Sequence, residues 1–315
     1  MKGMNFNMDK ISLIIPCYNE EETIPFLNEE LIKLKKSISK VDFEVILVDN
    51  CSSDNTLKLM KELNKKYNYD YISFSRNFGK DASMYAGLKY SSGDYVAIMD
   101  ADLQDPPELI AEMYYTLKKE NYDCVATYRK NRKHEPLIRS FLANIFYKLI
   151  NNVSDYKIPK GARDFRLMTR QMVNAILQLD ENERFTKGIF SWVGFKTKWI
   201  SFDNHERIAG KTKLPMKSAF SYAIKGITSF TTFPLKISSI MGGILCFIAT
   251  IYLIYIIVNY FTLNTISGYT SVICVLLYGF GFLLLVLGII GQYIAGIYLE
   301  IKNRPKYIVK ESSLK

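Results

Sequence analysis

Between Ile237 and Leu299 the chain has no Asp, Glu, Lys, Arg or His, a charge-free tract of roughly sixty residues in a protein of 315. A membrane-crossing helix needs about 20 apolar residues, so the tract has room for two. Spans of about 237–258 and 272–295 are expected, joined by the more polar 259–271. Long uncharged runs such as Gly279 to Ile290 argue against the buried hairpin of a soluble core. The joining segment also lacks basic residues, whereas Lys211, Lys213, Lys217, Lys225 and Lys236 precede the pair and Lys302, Arg304, Lys306 and Lys310 follow it. This asymmetry predicts a two-span protein of the cell (inner or plasma) membrane, with both termini and the large amino-terminal part cytoplasmic. Residues 1–10 lack an apolar core of signal-peptide type, so neither cleavage nor export is expected.

Other scarcities narrow the chemistry. The two histidines, His134 and His205, stand alone, and none of the five cysteines (Cys17, Cys51, Cys124, Cys246, Cys274) pairs at zinc spacing. A zinc site is therefore not expected, and reduced, mostly buried thiols are. There is no internal repeat and no low-complexity tract. The formal charge of +10 is spread along the chain, densest beside the apolar tract. Anionic lipids and phosphate compounds are better partners for such a surface than nucleic acid.

The first half alternates strand-like and helix-like segments. Ser12 to Ile15, Phe43 to Val48, Tyr71 to Phe74 and Tyr95 to Met99 are apolar runs of strand length. Between them lie helical patterns: one to about Lys36 that Asn19 to Glu22 would open as a capping box, one capped by Ser52 or Ser53 and running to about Lys66, and one over 80–90. A fourth helix is expected over about 107–119. This β-α-β-α order implies a mostly parallel sheet with helices on both faces, an α/β fold. Further on, a strand over 124–127, a basic loop over 129–139, a helix over 140–151, a strand over 165–168, a helix to about Leu179 and a strand near 198–202 complete the soluble part. The segment 214–233, with Lys217 and Lys225 among aromatic and aliphatic residues, has the pattern of an amphipathic helix lying on a bilayer.

The stretch Asp100-Ala101-Asp102-Leu103-Gln104-Asp105-Pro106-Pro107 follows the fourth strand directly. In open α/β sheets the carboxyl ends of strands are where ligands bind. Two carboxylates held close repel one another, and a bridging cation relieves that cost. Oxygen donors select a hard ion such as Mg²⁺ or Mn²⁺, which commonly completes its coordination with substrate phosphates. The plainer alternative is a polar turn with Asp105 capping the next helix. Pro16 to Glu20 and Asp49 to Ser52 end two other strands on the same sheet edge, which is the geometry of a nucleotide-plus-metal site.

With these ends go Ile14-Ile15-Pro16-Cys17-Tyr18-Asn19-Glu20-Glu21, Val48-Asp49-Asn50-Cys51-Ser52-Ser53-Asp54, Ser75-Arg76-Asn77-Phe78-Gly79-Lys80, Asp164-Phe165-Arg166-Leu167-Met168, Arg184-Phe185, Trp192-Val193-Gly194-Phe195-Lys196 and Arg207-Ile208-Ala209-Gly210-Lys211-Thr212-Lys213. On these motifs the chain resembles family 2 glycosyltransferases of the GT-A fold. Within them it is most similar to the polyisoprenyl-phosphate glycosyltransferases, the group of bactoprenol glucosyltransferases and dolichol-phosphate mannose synthases. The resemblance implies a cytoplasmic GT-A catalytic domain over 1–213, amphipathic juxtamembrane helices over 214–235, a transmembrane hairpin over 236–299 and a basic cytoplasmic tail over 300–315. It implies that Pro16, Tyr18, Glu20, Asp49 and Asn50 hold the nucleoside. Asp100, Asp102 and Gln104 would hold Mg²⁺ or Mn²⁺ and, with Ala101, the donor diphosphate. Arg129, Arg139, Arg207 and Lys213 would meet donor and acceptor phosphates, and Asp164 would lie by the reacting sugar.

The expected reaction moves one hexosyl or N-acetylhexosaminyl unit, with inversion, from a UDP-sugar such as UDP-glucose or UDP-N-acetylglucosamine to undecaprenyl phosphate, supplying lipid-linked sugar for cell-envelope glycosylation. Negative charge building on the leaving phosphates calls for a metal and for Arg or Lys. A phosphate monoester, with a second pKa of about 6, scarcely needs a general base, so Asp164 is assigned an electrostatic or positioning role. Plainer roles compete: Glu20 in a helix cap, Asp164 paired with Arg163 or Arg166, Arg129, Arg132 and Arg139 as a solvated basic face, Arg207 and Lys213 on lipid headgroups, and Trp192 and Phe195 in the core. The pattern departs from the family where Asn50 and Cys51 replace an acid and a glycine, which leaves uridine against guanosine open, and where Arg163 replaces a small residue. A processive polysaccharide synthase would carry a Gln-x-x-Arg-Trp signature, which is absent. A non-catalytic, membrane-tethered nucleotide-sugar-binding partner of a flippase would be favoured by degraded metal acids, and these are intact. The identity of the sugar and homo-oligomeric assembly are left open.

Overall fold

Strands buried on both faces hold the centre of the sheet. In the computed structural model, which describes residues 8–38, 40–129, 159, 161–182, 184–202, 233–263 and 268–314, β1 (Asp9–Cys17), β2 (Val41–Asp49), β3 (Asp70–Phe74) and β4 (Tyr95–Ile98) run parallel in the order β3-β2-β1-β4. Ile11, Leu13, Ile14, Ile15, Ile46, Leu47 and Val48 are buried, so these strands are unbroken apolar runs, the pattern of a sheet covered on both sides. One cover is α1 (Ile24–Ser37) with α4 (Leu109–Lys119), whose Ile24, Leu27, Leu31, Ile110, Met113 and Leu117 fall at helical spacing. The other is α3 (Lys80–Tyr90), whose Ala82 and Ala86 pack on Val48 and Phe74. Helix α2 (Thr56–Tyr67) joins β2 to β3.

Gly87 sets how near α3 comes. A Cβ there would stand 2.2 Å from Ile14 Cγ2, so only glycine allows this approach to β1. The amino end of α3, with Lys80, is thereby held beside the carboxyl ends of β1 and β2.

The sheet is extended by β6 (Ala162–Thr169), antiparallel to β4 and paired Ile98↔Arg166, then by β5 (Cys124–Arg129), antiparallel to β6, and β7 (Thr197–Phe202), parallel to β5. Because β6 runs against β4, its first residues lie where β4 ends. Helices α5 (Arg170–Gln178) and α6 (Thr186–Trp192) follow β6, the first capped by the Thr169 hydroxyl accepting from Met172 N. At the far edge, β8 (Val309–Ser312) pairs antiparallel with β3, giving the eight-strand order β7-β5-β6-β4-β1-β2-β3-β8. Tyr307 stacks on Phe74 with ring centroids 5.0 Å apart, and Lys306 is ion-paired with Asp180.

Several boundaries differ from the sequence reading. Helix α1 opens at Ile24, not at Asn19: Pro25 sits in its first turn, and the Asn19 Oδ1 instead accepts from Ser53 N at 2.8 Å. Helix α2 begins after Asn55, because Ser52 N donates to Asp49 Oδ1 and Ser52 Oγ accepts from Asn19 N. Arg129 ends a strand where a loop was expected. Helix α6 and strand β8 had not been foreseen. The expected helix over 140–151, Arg132, Arg139, His134, His205, Arg207, Lys213 and the amphipathic segment up to 232 lie outside the described residues.

The chain divides into two compact units, Met1–Ser221 with Arg304–Lys315, and Tyr222–Asn303. The second contains α7 (Phe233–Leu263) and α8 (Tyr269–Ile301). Within them Pro234–Tyr252 and Tyr278–Ile301 have the length and hydropathy, 1.7 and 2.1, of membrane spans. Phe247, Tyr278 and Leu284 are exposed, so the apolar surface of these helices points outward.

Candidate active site

The order β3-β2-β1-β4 reverses direction at β1, and at such a switch point the connections diverge and leave a crevice at the carboxyl ends. Three strand exits share that end of the sheet, and each turns through a left-handed non-glycine residue: Asn19 (φ 53°) after β1, Cys51 (φ 61°) after β2 and Leu103 (φ 53°) after β4. Such a residue costs roughly 1–2 kcal/mol, and strain of this kind clusters where backbone must be placed for function.

At the β2 exit, Asp49 is buried and accepts from Ser52 N at 3.0 Å and Ser73 Oγ at 2.8 Å. Asn50 is buried too. Its Oδ1 accepts from Phe78 N at 2.8 Å, and its Nδ2 donates to Asn77 Oδ1 at 2.9 Å. Asn77 Oδ1 also accepts from Gly79 N at 3.0 Å, so Asn50 braces the loop that leads into α3. At the β1 exit, Pro16 is partly buried and Tyr18 exposed, and Glu20 accepts from Thr23 Oγ1 at 2.9 Å through its side chain.

The β4 exit carries the charge. Lys80 Nζ lies 2.6 Å from Asp100 Oδ1 and 2.7 Å from Asp164 Oδ2, bridging an acid after β4 and one at the start of β6. The second oxygen of Asp100 faces Arg163 Nη2 at 3.4 Å. Arg163 forms a fork onto Asp105, 2.9 Å from Nε and 3.0 Å from Nη2. Asp105 is therefore a buried anchor for Arg163, and it does not cap α4 as the plainer reading had it. Gln104 N donates to Asp102 Oδ1 at 3.2 Å, and Gln104 Oε1 accepts from Arg129 Nη2 at 2.9 Å. Ala101 is buried beneath this turn.

Electrostatics follow the geometry. Burial alone would raise the Asp164 carboxyl, but the charges of Lys80 and Lys187 outweigh it and hold Asp164 far below the usual carboxylate range. Asp100 is likewise lowered: burial opposes ionisation, and Lys80 and Arg163 prevail. Burial works against the charge of Lys80 and of Arg163, yet the facing carboxylates push both upward. Burial pushes Asp105 up against the pull of Arg163. The facing charges thus favour the ionised forms of Lys80, Arg163, Asp100 and Asp164. Arg166, expected as a plain partner of Asp164, donates to the backbone carbonyls of Arg163 and Asp164 instead and lies over the Phe190 ring. Trp192, expected in the core, is 46% exposed, and Phe195 is partly exposed.

Comparison with known proteins decides what such an array belongs to. Residues 12–177 match the family described as Glycosyl transferase family 2. The chain is 37% identical over 96% of its length to 98% of the SfII prophage-derived bactoprenol glucosyl transferase of Shigella flexneri, and 36% identical over 96% of its length to 98% of the prophage bactoprenol glucosyl transferase homolog of Escherichia coli strain K12. The chain belongs to glycosyltransferase family 2. Among solved structures, glucosyl-3-phosphoglycerate synthase of Mycobacterium tuberculosis, crystallised with Mn²⁺, UDP and glucosyl-3-phosphoglycerate, aligns with 70% of this chain and 78% of that one at 17% identity and a TM-score of 0.45.

This glycosyltransferase has a GT-A-like α/β fold with a mostly parallel sheet, as its sequence led one to expect. Sequence reasoning named Asp100, Asp102, Gln104, Arg129 and Asp164, and these gather around the β4 exit. It gave no role to Lys80, and it offered Asp105 only as a helix cap. Lys80 stood in a quoted motif, but its partners come from two other elements, and only the fold joins them. The signal for Asp105 was Arg163 itself: an arginine in place of a small residue needs a buried acid, and one of the nearby acids had to supply it.

Proposed function

We propose that this glycosyltransferase is membrane-bound and moves a single sugar, with inversion, from a UDP-sugar to undecaprenyl phosphate at the cytoplasmic face. The observation that carries the reading is the bridge Asp100–Lys80–Asp164 at the switch point, which packs anions and cations where a diphosphate would leave an anomeric carbon. Near full-length similarity to proteins named bactoprenol glucosyl transferases supports the lipid acceptor. Two long helices whose apolar side chains face outward support membrane residence, because a soluble hairpin would bury them. The basic residues flanking 237–299 support cytoplasmic termini. UDP-glucose and UDP-N-acetylglucosamine are the donors of choice.

A divalent cation fits the donor set. Asp100 and Asp102 supply hard carboxylate oxygens at one strand exit, and an ammonium already bridges two acids there. Among the described residues no group of three or more His, Cys, Asp or Glu could enclose an ion, so phosphate oxygens would have to complete the shell of a Mg²⁺ or Mn²⁺ held there. Asp100 and Asp102 would hold it, with Gln104 beside them. Bound there, the ion would neutralise charge developing on the leaving diphosphate. Arg129 and Lys80 add positive charge from the protein side, and Asn50 holds the loop that presents Lys80. Asp164, kept ionised, favours positive charge at the anomeric carbon and needs no proton, since the acceptor phosphate is already anionic.

The test incubates the purified full-length protein in detergent with undecaprenyl phosphate and a panel of nucleotide sugars, with and without EDTA, and weighs the lipid products. One glycosyl unit on the lipid, lost with EDTA, is expected. Polymer would favour a processive synthase, and no product with any donor would favour a binding partner of a flippase.

A further inference from the structure

Both oxygens of Asp100 face protein cations, Oδ1 toward Lys80 at 2.6 Å and Oδ2 toward Arg163 at 3.4 Å. Arg163 is locked in place by its fork onto Asp105. Lys80 is not locked in the same way. Its Cα is held by the braced loop and by Gly79, whose φ of +94° turns the chain into α3, but its side chain is 41% exposed and carries the ammonium on a flexible four-carbon stem. An incoming divalent ion must sit about 2.0–2.2 Å from a carboxylate oxygen, on the same Asp100 that Lys80 already contacts. Two cations cannot share that oxygen without strong repulsion. A diphosphate changes the balance, because its oxygens can receive the ammonium and complete the ion's shell together.

We propose that Lys80 is an internal counter-cation that occupies Asp100 in the free protein and cedes it to a divalent ion only when a nucleoside diphosphate arrives to receive the ammonium. Metal and donor therefore enter interdependently. Free metal binds weakly, and each ligand strengthens the other, as linkage requires. The device keeps the charged crevice neutralised between turnovers and selects donors that carry a diphosphate over free ions. It rests on the metal reading above.

The experiment titrates Mn²⁺ into the full-length protein in detergent and follows free Mn²⁺ by electron paramagnetic resonance, with and without UDP. For wild type, UDP is expected to tighten Mn²⁺ at least tenfold. Lys80→Met and Lys80→Gln are expected to bind Mn²⁺ alone at least tenfold more tightly than wild type, and the tightening by UDP falls to threefold or less. Lys187→Met removes a nearby charge that acts on Asp164 without contacting Asp100, and is expected to change Mn²⁺ binding less than threefold. Two neutral variants guard against one that fails to fold, and circular dichroism melting identifies such a failure. If wild type binds Mn²⁺ with UDP while both Lys80 variants keep the wild-type affinity for Mn²⁺ alone, the lock is overturned and the metal site stands. An equal gain in Lys187→Met also overturns it, since general charge would then suffice. If wild type binds no Mn²⁺ even with UDP, the metal reading fails and the lock with it.

Discussion

Arg163 joins two acids that sequence alone would have left to repel one another. Asp105 is fully buried, and the guanidinium fork is its compensation. Arg163→Ala leaves that carboxylate unpaired, and a loss of about 3–5 kcal/mol is expected in denaturant unfolding of the full chain in detergent. Cys51 offers the opposite change. It holds φ 61° where the family commonly has glycine, so Cys51→Gly is expected to raise stability by about 1 kcal/mol, less the added freedom glycine brings to the unfolded chain. An unchanged or lower melting temperature would show that the turn is not strained. Glu44, bound by Ser12, Ser92 and Lys10, has its carboxyl lowered from 4.5 to about 2, because these hydrogen bonds outweigh the burial that would raise it. A depressed folded-state value stabilises above the unfolded value and is lost as pH falls through the folded one. Stability should therefore decline between pH 4.5 and about 2, and Glu44→Gln should flatten that decline.

At the scale of elements, the range of α3 was legible but not its role, and β8, like α6, was not read at all. The range of α3 follows from its pattern, but its role as the carrier of Lys80 depends on how closely Gly87 lets it approach Ile14. Gly87→Ala is expected to cost about 1–3 kcal/mol by overpacking and, by shifting the helix, to lower transfer activity more than its stability loss explains. The check compares melting with turnover below the transition. Strand β8 is short and polar and lies in a basic tail, features of an exposed segment, yet its backbone closes the edge of β3 and Tyr307 covers Phe74. Tyr307→Ala is expected to destabilise the catalytic unit by about 2 kcal/mol through lost burial and stacking, measured by thermal unfolding. Such a strand is hard to read locally because its partner lies more than two hundred residues away, and edge pairing is satisfied by backbone groups that every residue has.

The whole molecule couples a GT-A-like sheet to a helical hairpin, and its sequence states the two parts with unequal force. Burial on both sheet faces demands continuous apolar strands, so the alternation of strand and helix was legible, as was the charge-free tract, which has the length of two membrane spans. The acids Asp100 and Asp102 were legible because ionised residues after an apolar strand are costly to hold together without a purpose, and Asp164 was legible only through the family resemblance. Their partners were not. Lys80 reaches Asp100 and Asp164 across 20 and 84 residues, Arg163 reaches Asp105 across 58, and Asn50 reaches Phe78 across 28. Charge and hydrogen bonding depend on distance in space, and a linear pattern of residue types records no such distances. The sequence by itself determined the class of fold and the sheet edge at which the acidic motifs gather. Only the tertiary structure decided which cation sits on which acid, because that choice is made by the packing of α3 on β1 and by the antiparallel entry of β6 beside β4.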